Sequence, residues 1–336
     1  MKCISQRDIA KKLGVNASTV SRALNGQKGV SATLKHEIEK LAKEQGYRPN
    51  PFAASLRYDT TQTIGIVVPD VSFNHFAHII RHIEAEAKKE GYMCIITDSN
   101  DRYEDEKECI EHLVNMHVAG IILCLSQETT DYSQLFQLKE HNIPIVLFDR
   151  AADADFSSVV INDADSARQA THYLIDGGAR RIAFLGGSNK MKQTAERKHG
   201  YLEALRERNI PIRRELVKCH DASFNSGLTD TMELLELPEP PDAIIASHGL
   251  LVLAAFHAIM SRKVRIPEDM AMIGYMSDWI SEMTSPKMSF IKQNLKEIGT
   301  RAFRLLLEQI NGDSRVRRMV VKAHLEIRES TRKITE

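Results

Sequence analysis

The chain has 336 residues, 43% hydrophobic and 27% charged, the composition of a soluble globular protein with room for two or three domains. Its formal net charge is zero, which by itself argues against a nucleic-acid partner. Divided at Thr60, however, residues 1–60 hold eleven Lys/Arg against five Asp/Glu and the remainder 34 against 40, so a basic module of +6 precedes an acidic body of −6. Five widely spaced cysteines exclude a disulfide framework and a zinc motif, and point to reduced thiols in a cytoplasmic protein. The first residues carry no signal-peptide-like apolar stretch, and no run of eighteen apolar residues is present to span a membrane.

Residues 5–25, SQRDIAKKLGVNASTVSRALN, read as two short helices around a tight turn. Ser5 with Asp8 makes a capping-box-like start, and Ile9, Ala10 and Leu13 share one face. Gly14 breaks the run and Val15 plugs the turn. Asn16 caps a second helix that buries Val20, Ala23 and Leu24 and leaves Ala17, Ser18, Ser21 and Arg22 outward, small polar side chains and one arginine suited to a major groove. Ser31 starts a third helix with Leu34, Ile38, Leu41 and Ala42 on one face, and Gly46 ends it. In YRPNPFAASLRYDTTQT, Asn50 and Pro51 open a helix too short to hold in water without a partner.

From Thr63 onward, apolar strand-like runs alternate with helical patterns: TIGIVVP, MCIITDS, GIILCL, IPIVLFD and SVVIN, then RIAFLGG, LVKCH, AIIAS and MAMIGY. Two such sets imply two lobes, each a parallel sheet covered by helices, with ligands bound between them beyond the carboxyl ends of the strands. GGSNK lacks the spacing of a nucleotide loop and reads as a turn. Scattered histidines at helical spacing lack a carboxylate constellation, so no metal, cofactor or catalytic group is expected.

The ordered set IAKKLGVNASTVSRALN, GVS, GYRPNPFAASLR, TIGIVVPD, RRIAFLGG, RKHGY, RIPEDMAMIGY and IRESTRK resembles the LacI/GalR family of bacterial transcription repressors over almost the whole chain. The resemblance implies an all-α helix-turn-helix head plus hinge helix, followed by an α/β two-lobed periplasmic-binding-protein-like effector domain. The head then covers residues 1–48 and the hinge 49–60. Lobe 1 runs over about 61–162 plus 292–318, and lobe 2 over about 163–291 plus 319–330. Carried over by position, Ala17, Ser18 and Arg22 read bases. Ser5, Thr19, Ser21, Asn25, Ser31, Tyr47 and Asn50 contact the backbone of the DNA, and Ala53 and Leu56 belong to a hinge whose leucine wedges into the minor groove.

The same resemblance directs Arg197 at the effector and puts His75, Phe76 and Asp149 at the cleft. Three departures stand out. His248 and Gly249 replace the family's Asn-Asp pair, and Gly274, Tyr275 and Met276 replace Gly-Phe-Asp. Ala222, with Phe224 nearby, stands where several members carry an aromatic platform. Either Asp278 or His248 substitutes for the lost carboxylate. The implied protein is a cytoplasmic homodimer on a pseudo-palindromic operator, with no membrane partner and no room after IRESTRK for a tetramerising coiled coil. Its effector is a sugar or sugar derivative, and the lost carboxylate favours a sugar phosphate or sugar acid. A transporter-linked solute-binding protein and a two-lobed hydrolase using His248 and Asp278 are the rivals.

Overall fold

The computed structural model describes residues 4–24, 26–47, 61–152 and 154–333, in two compact units, Met1–Thr61 and Gln62–Glu336. In the first unit, α1 (Gln6–Leu13) begins with a reciprocal cap. The Asp8 amide donates to the Ser5 hydroxyl at 3.3 Å and the Ser5 amide donates to the Asp8 carboxylate at 2.9 Å. Gly14 then turns the chain at φ 65°, a left-handed value that costs a glycine nothing. After the turn come α2 (Ala17–Leu24) and α3 (Ala32–Glu44), the latter capped by Ser31. Ile9, Ala10, Val20, Ala23, Ile38 and Ala42 form the core, ringed by Leu13, Val15, Leu34, Leu41 and Tyr47.

One face differs from the sequence expectation. Ser21 turns inward and is 4% exposed, and Ala17 packs half-buried against the core. The cause is angular: at about 100° per residue, position 21 falls beyond Leu24 and next to the half-buried Ala17, so the buried stripe of α2 is wider than the three apolar residues alone indicate. Asn25, Asn50, Ala53, Leu56 and the expected hinge helix lie outside the described residues.

The second unit contains two six-stranded sheets. In the first, β1 (Thr63–Val68), β2 (Met93–Asp98), β3 (Gly120–Leu123), β4 (Ile145–Phe148) and β5 (Ser157–Ile161) alternate with α4 (Asn74–Lys89), α5 (Tyr103–Asn115) and α6 (Ser133–Glu140). All of these strands but the edge strand β2 are buried on both faces: in β1, Ile64, Ile66 and Val68 face one apolar layer and Val67 the other, the pattern of a parallel sheet between helices.

The chain then crosses into α7 (Asp163–Asp176), β6 (Ile182–Gly186), α8 (Lys192–Glu207), β7 (Val217–Cys219), α9 (Phe224–Leu235), β8 (Ala243–Ala246), α10 (Gly249–Ser261), β9 (Ala271–Tyr275), α11 (Asp278–Met283) and β10 (Ser289–Lys292). It returns through α12 (Leu295–Ile310), which lies on α4 at Gly299, where a Cβ would come within 2.7 Å of the Ile79 carbonyl oxygen. Two short strands finish the fold, β11 (Arg318–Val321) and β12 (His324–Glu326). The strand orders are β11-β5-β4-β3-β1-β2 and β12-β10-β9-β8-β6-β7; among the described residues the only antiparallel pairing joins β12 to β10.

The sequence-derived lobe limits need two changes. All of β11 pairs with β5, from Arg318 opposite Ser158 to Val321 opposite Ile161, so the last crossing falls after Val321 and not at 318–319. Lys292 ends a strand of the second sheet and pairs with His324, so the return crossing follows it.

Candidate functional site

The loops at the carboxyl ends of β1, β3 and β4 meet those of β6, β8 and β9, and the two lobes touch there. Phe73, just before α4, presses on Gly249 at the amino end of α10: a Cβ at Gly249 would lie 2.9 Å from the Phe73 ring. Charged groups from both lobes converge beside this contact. Those that act on His248 are Arg197 from its own lobe and Arg150, Asp149 and His75 from the other.

Arg197 lies on the second turn of α8 and is 2% exposed. Its Nε donates to the Asp163 carboxylate at 2.6 Å, one Nη donates to the Ser247 carbonyl, and the guanidinium stacks on the Tyr275 ring 3.6 Å from its centroid. The Tyr275 hydroxyl in turn meets Ser166 Oγ at 2.8 Å. Nη2 is buried with no partner. An arginine held on one edge and stacked on an aromatic face is fixed in orientation, with its remaining edge available to a ligand. Burial pushes the Asp163 carboxyl up to about 7 against the pull of Arg197.

On the other side His75 Nε2 meets Asp149 Oδ1 at 3.1 Å, with Asp149 only 6% exposed. Burial alone would raise this carboxyl, but His75, Arg197 and Arg150 hold it well below the usual carboxylate range. Arg150 donates from Nη1 to Asp101 at 2.5 Å and to the Leu125 carbonyl at 3.4 Å, while its Nε is buried and unpartnered. Behind it, Glu106 is 2% exposed and accepts from the Ser126 amide at 2.6 Å and from Thr129 Oγ1 at 3.0 Å; burial raises it to about 7 despite those donors.

His248 bonds Ser247 Oγ through Nδ1 at 2.7 Å, and its buried Nε2 has no partner. Burial, then Arg197 and Arg150, drives its pKa well below the ordinary value and keeps the ring neutral. Gly187 permits the close approach here, since a Cβ on it would sit 3.1 Å from the His248 ring, 3.3 Å from the Ala222 methyl and 3.3 Å from Thr194 Oγ1.

Of the eight sequence-derived ligand residues, His75, Asp149, Arg197 and His248 come together, and Phe76 is buried edge-on to His75 with ring centroids 5.2 Å apart. The other three do not join them. Phe224 is 37% exposed and tilts against His257, Met276 is buried in the second-lobe core, and Asp278 is half-exposed and taken up by Arg328 at 2.6 Å and Lys292 at 3.3 Å. Between the two substitutes for the missing carboxylate, His248 is therefore the one in the cleft. Sequence reasoning missed Arg150, Asp163, Tyr275 as a stacking face, and Phe73. Arg150 could have been found by taking every residue just past a strand's carboxyl end; the pairing of Asp163 with Arg197, 34 residues apart, leaves no local signal.

In the head, Ser18 and Arg22 are exposed on α2, and Arg22 Nε reaches the Ser18 carbonyl at 3.4 Å. Ser5 and Ser31 are exposed caps, while Thr19 and Tyr47 are half-buried.

Residues 6–50 match the model of the lacI family of bacterial regulatory proteins, and residues 171–331 match that of a periplasmic binding protein-like domain. The HTH-type transcriptional repressor CytR of Escherichia coli (strain K12) is 31% identical over 310 residues, covering 92% of this chain and 90% of that protein. The chain belongs to the lacI family. Catabolite control protein A of Priestia megaterium is 30% identical over 328 residues, covering 97% and 98% of the two chains. A solved transcriptional regulator CelR–cellobiose complex superposes with a TM-score of 0.74 at 29% identity, over 97% of this chain and 99% of that one. The lac repressor dimer bound to operator and the anti-inducer ONPF shares the fold, with a TM-score of 0.85 at 23% identity over 98% and 99%. The protein is an effector-responsive, DNA-binding transcriptional regulator and not an enzyme. No helix among the described residues is long and apolar enough to cross a membrane.

Proposed function

We propose that this regulator is a cytoplasmic homodimer that represses from a pseudo-palindromic operator, and that a sugar or sugar derivative bound between the lobes controls its hold on DNA. The observation that carries the effector site is the convergence, from both lobes, of buried groups that are only partly satisfied: Arg197 Nη2 and His248 Nε2 from one, Arg150 Nε from the other. Buried polar groups normally find partners, and three left open around one cleft support a place shaped for a ligand. The cellobiose bound to the CelR regulator supports a saccharide-derived ligand.

Dimerisation is supported by apolar side chains left in water, Met93 on the edge strand β2 at 70% exposure and Met283 with Trp279 on α11 at 74% and 45%. Two heads related by a two-fold axis would each set α2 in a major groove, with Arg22 reading a base while Ser18 adapts. Ala17 would offer a methyl contact; Ser5, Thr19, Asn25, Ser31, Tyr47 and Asn50 would hold the backbone. Ala53 and Leu56 would pair across the axis in the minor groove, and lobe closure would order or melt that hinge.

Selection of bound sequences from a random duplex pool, with and without a metabolite mixture, tests the reading. Two half-sites in inverted repeat, with occupancy changed by the mixture, are expected; enrichment of a single asymmetric site, or indifference to every metabolite, would overturn it.

A further inference from the structure

This inference rests on the interlobe cleft being the effector site and narrows what the site takes. We propose that the effector is an oxyanion, a sugar acid or a sugar phosphate, whose charged group is clamped between Arg150 of the first lobe and Arg197 of the second.

The hydrogen-bonding inventory of the cleft is lopsided. A neutral sugar offers hydroxyl protons and needs acceptors, which carboxylates supply best. The cleft carboxylates Asp149, Asp163 and Asp101 each already hold a protein donor: Asp149 holds His75 at 3.1 Å, Asp163 holds Arg197 Nε at 2.6 Å, and Asp101 holds Arg150 at 2.5 Å and the Gln127 amide at 2.8 Å. At position 249 the amino end of α10 carries no side chain and the Phe73 ring fills the space; at position 276 a buried methionine packs into the core.

Two of the groups the cleft leaves open, Arg150 Nε and Arg197 Nη2, can only donate. Asn74 Nδ2, Arg150 Nε and Arg197 Nη2 are buried without partners, and Thr194 Oγ1 and His248 Nε2 can each donate. The open amides of Asn74, Gln127 and Gln293 present a donor or an acceptor according to which way each amide is turned, so they can adapt to the ligand. The α10 amino end adds free backbone amides, since His248 makes no capping bond there. Donors with two guanidinium edges match an acceptor-only group, and a carboxylate or phosphate spanning Arg150 and Arg197 would draw the lobes together as it binds.

The inference can be tested with the full-length protein, its selected operator, and a bacterial metabolite extract separated on an anion-exchange resin at neutral pH. Operator occupancy should respond to the retained fraction and not to the flow-through. Loss of the response after phosphatase treatment identifies a phosphate, and survival identifies a carboxylate; both fit the clamp. Arg150→Lys, which keeps the charge but loses the Nε edge, should need roughly tenfold more of the retained fraction for the same response. A melting curve without ligand confirms that the variant is folded. A response confined to the flow-through would sink the oxyanion and leave the regulator reading intact. No response to any fraction would remove both.

Discussion

The ring of Phe73 in the first lobe occupies the space into which any side chain at Gly249 in the second would grow, 2.9 Å from the ideal Cβ position. The two residues lie on opposite walls of the cleft, so their fit is a condition for the lobes to meet. Gly249→Ala should hold the lobes apart, weaken effector binding by about tenfold and raise the radius of gyration measured by small-angle X-ray scattering with effector present. Removing the ring as well, in Phe73→Ala/Gly249→Ala, should recover most of the closure. Equal loss in the single and double variants would show that the two positions do not act on each other.

A second close approach holds the Arg197 side of the cleft. A Cβ on Gly200 would collide with the Ala164 carbonyl oxygen and come within 3.0 Å of the Arg168 amide, so α7 and α8 cross where only a glycine fits. Neither obstacle is a side-chain tip that could swing away. Gly200→Ala should therefore cost stability by roughly 1–3 kcal/mol and push α8 outward, loosening the Arg197 contact with Asp163 on α7. Thermal denaturation read alongside effector titration checks both parts, and an unchanged melting temperature would show that the helices separate freely.

How much of this was legible in sequence follows from the physics of each element. Strands β1, β3, β4, β5, β6, β8 and β9 could be read because parallel strands buried on both faces are unbroken apolar runs, whereas the partly exposed edge strands β2 and β7 showed through their place in the strand–helix alternation. Strand β11 could not: Arg318 and Val320 face water and only Val321 is fully buried, so four residues gave too little pattern to assign them to a sheet whose partner strand lies about 160 positions earlier. Arg197 was visible through its place in a recurring motif. Arg150 was not, because an arginine beside an aspartate in a loop looks like a surface ion pair, and its true partner is Asp101, 49 residues away. Phe224, Met276 and Asp278 had the right addresses along the chain, but an address does not say which way a side chain turns.

Glu106 carries a prediction in pH. Burial raises its carboxyl from an ordinary 4.5 to about 7, so the folded state holds a proton that the unfolded chain releases. Stability from this group is therefore greatest below pH 4.5 and falls as pH rises to about 7, by an amount on the order of 3 kcal/mol. Glu106→Gln keeps an oxygen for the Ser126 amide and removes the charge. It should raise the melting temperature at pH 8, change it little at pH 4, and flatten the slope between. A variant less stable than the parent at pH 8 would mean that the charged form is wanted, with Arg150 and not burial controlling it.

The head poses the opposite problem, since its core is small and its reading surface sparse. Ser21 is turned inward and Ala17 half-covered, which leaves Arg22 and Ser18 as the exposed side chains among the base-reading candidates on α2. Specificity at the half-site should rest on Arg22: Arg22→Ala should relax base preference at one position of each half-site, by about 1–3 kcal/mol of discrimination. Leu56→Ala should act differently. If the leucine wedges between base steps, its loss weakens binding to every operator variant alike and leaves effector affinity unchanged, because unstacking and bending contribute at positions no side chain reads. Binding measured across a panel of single-base operator variants separates the two. A Leu56→Ala protein that binds the parent operator as tightly as before would remove the wedge, and affinity would then have to come from the head's backbone contacts, with a correspondingly steeper dependence on salt.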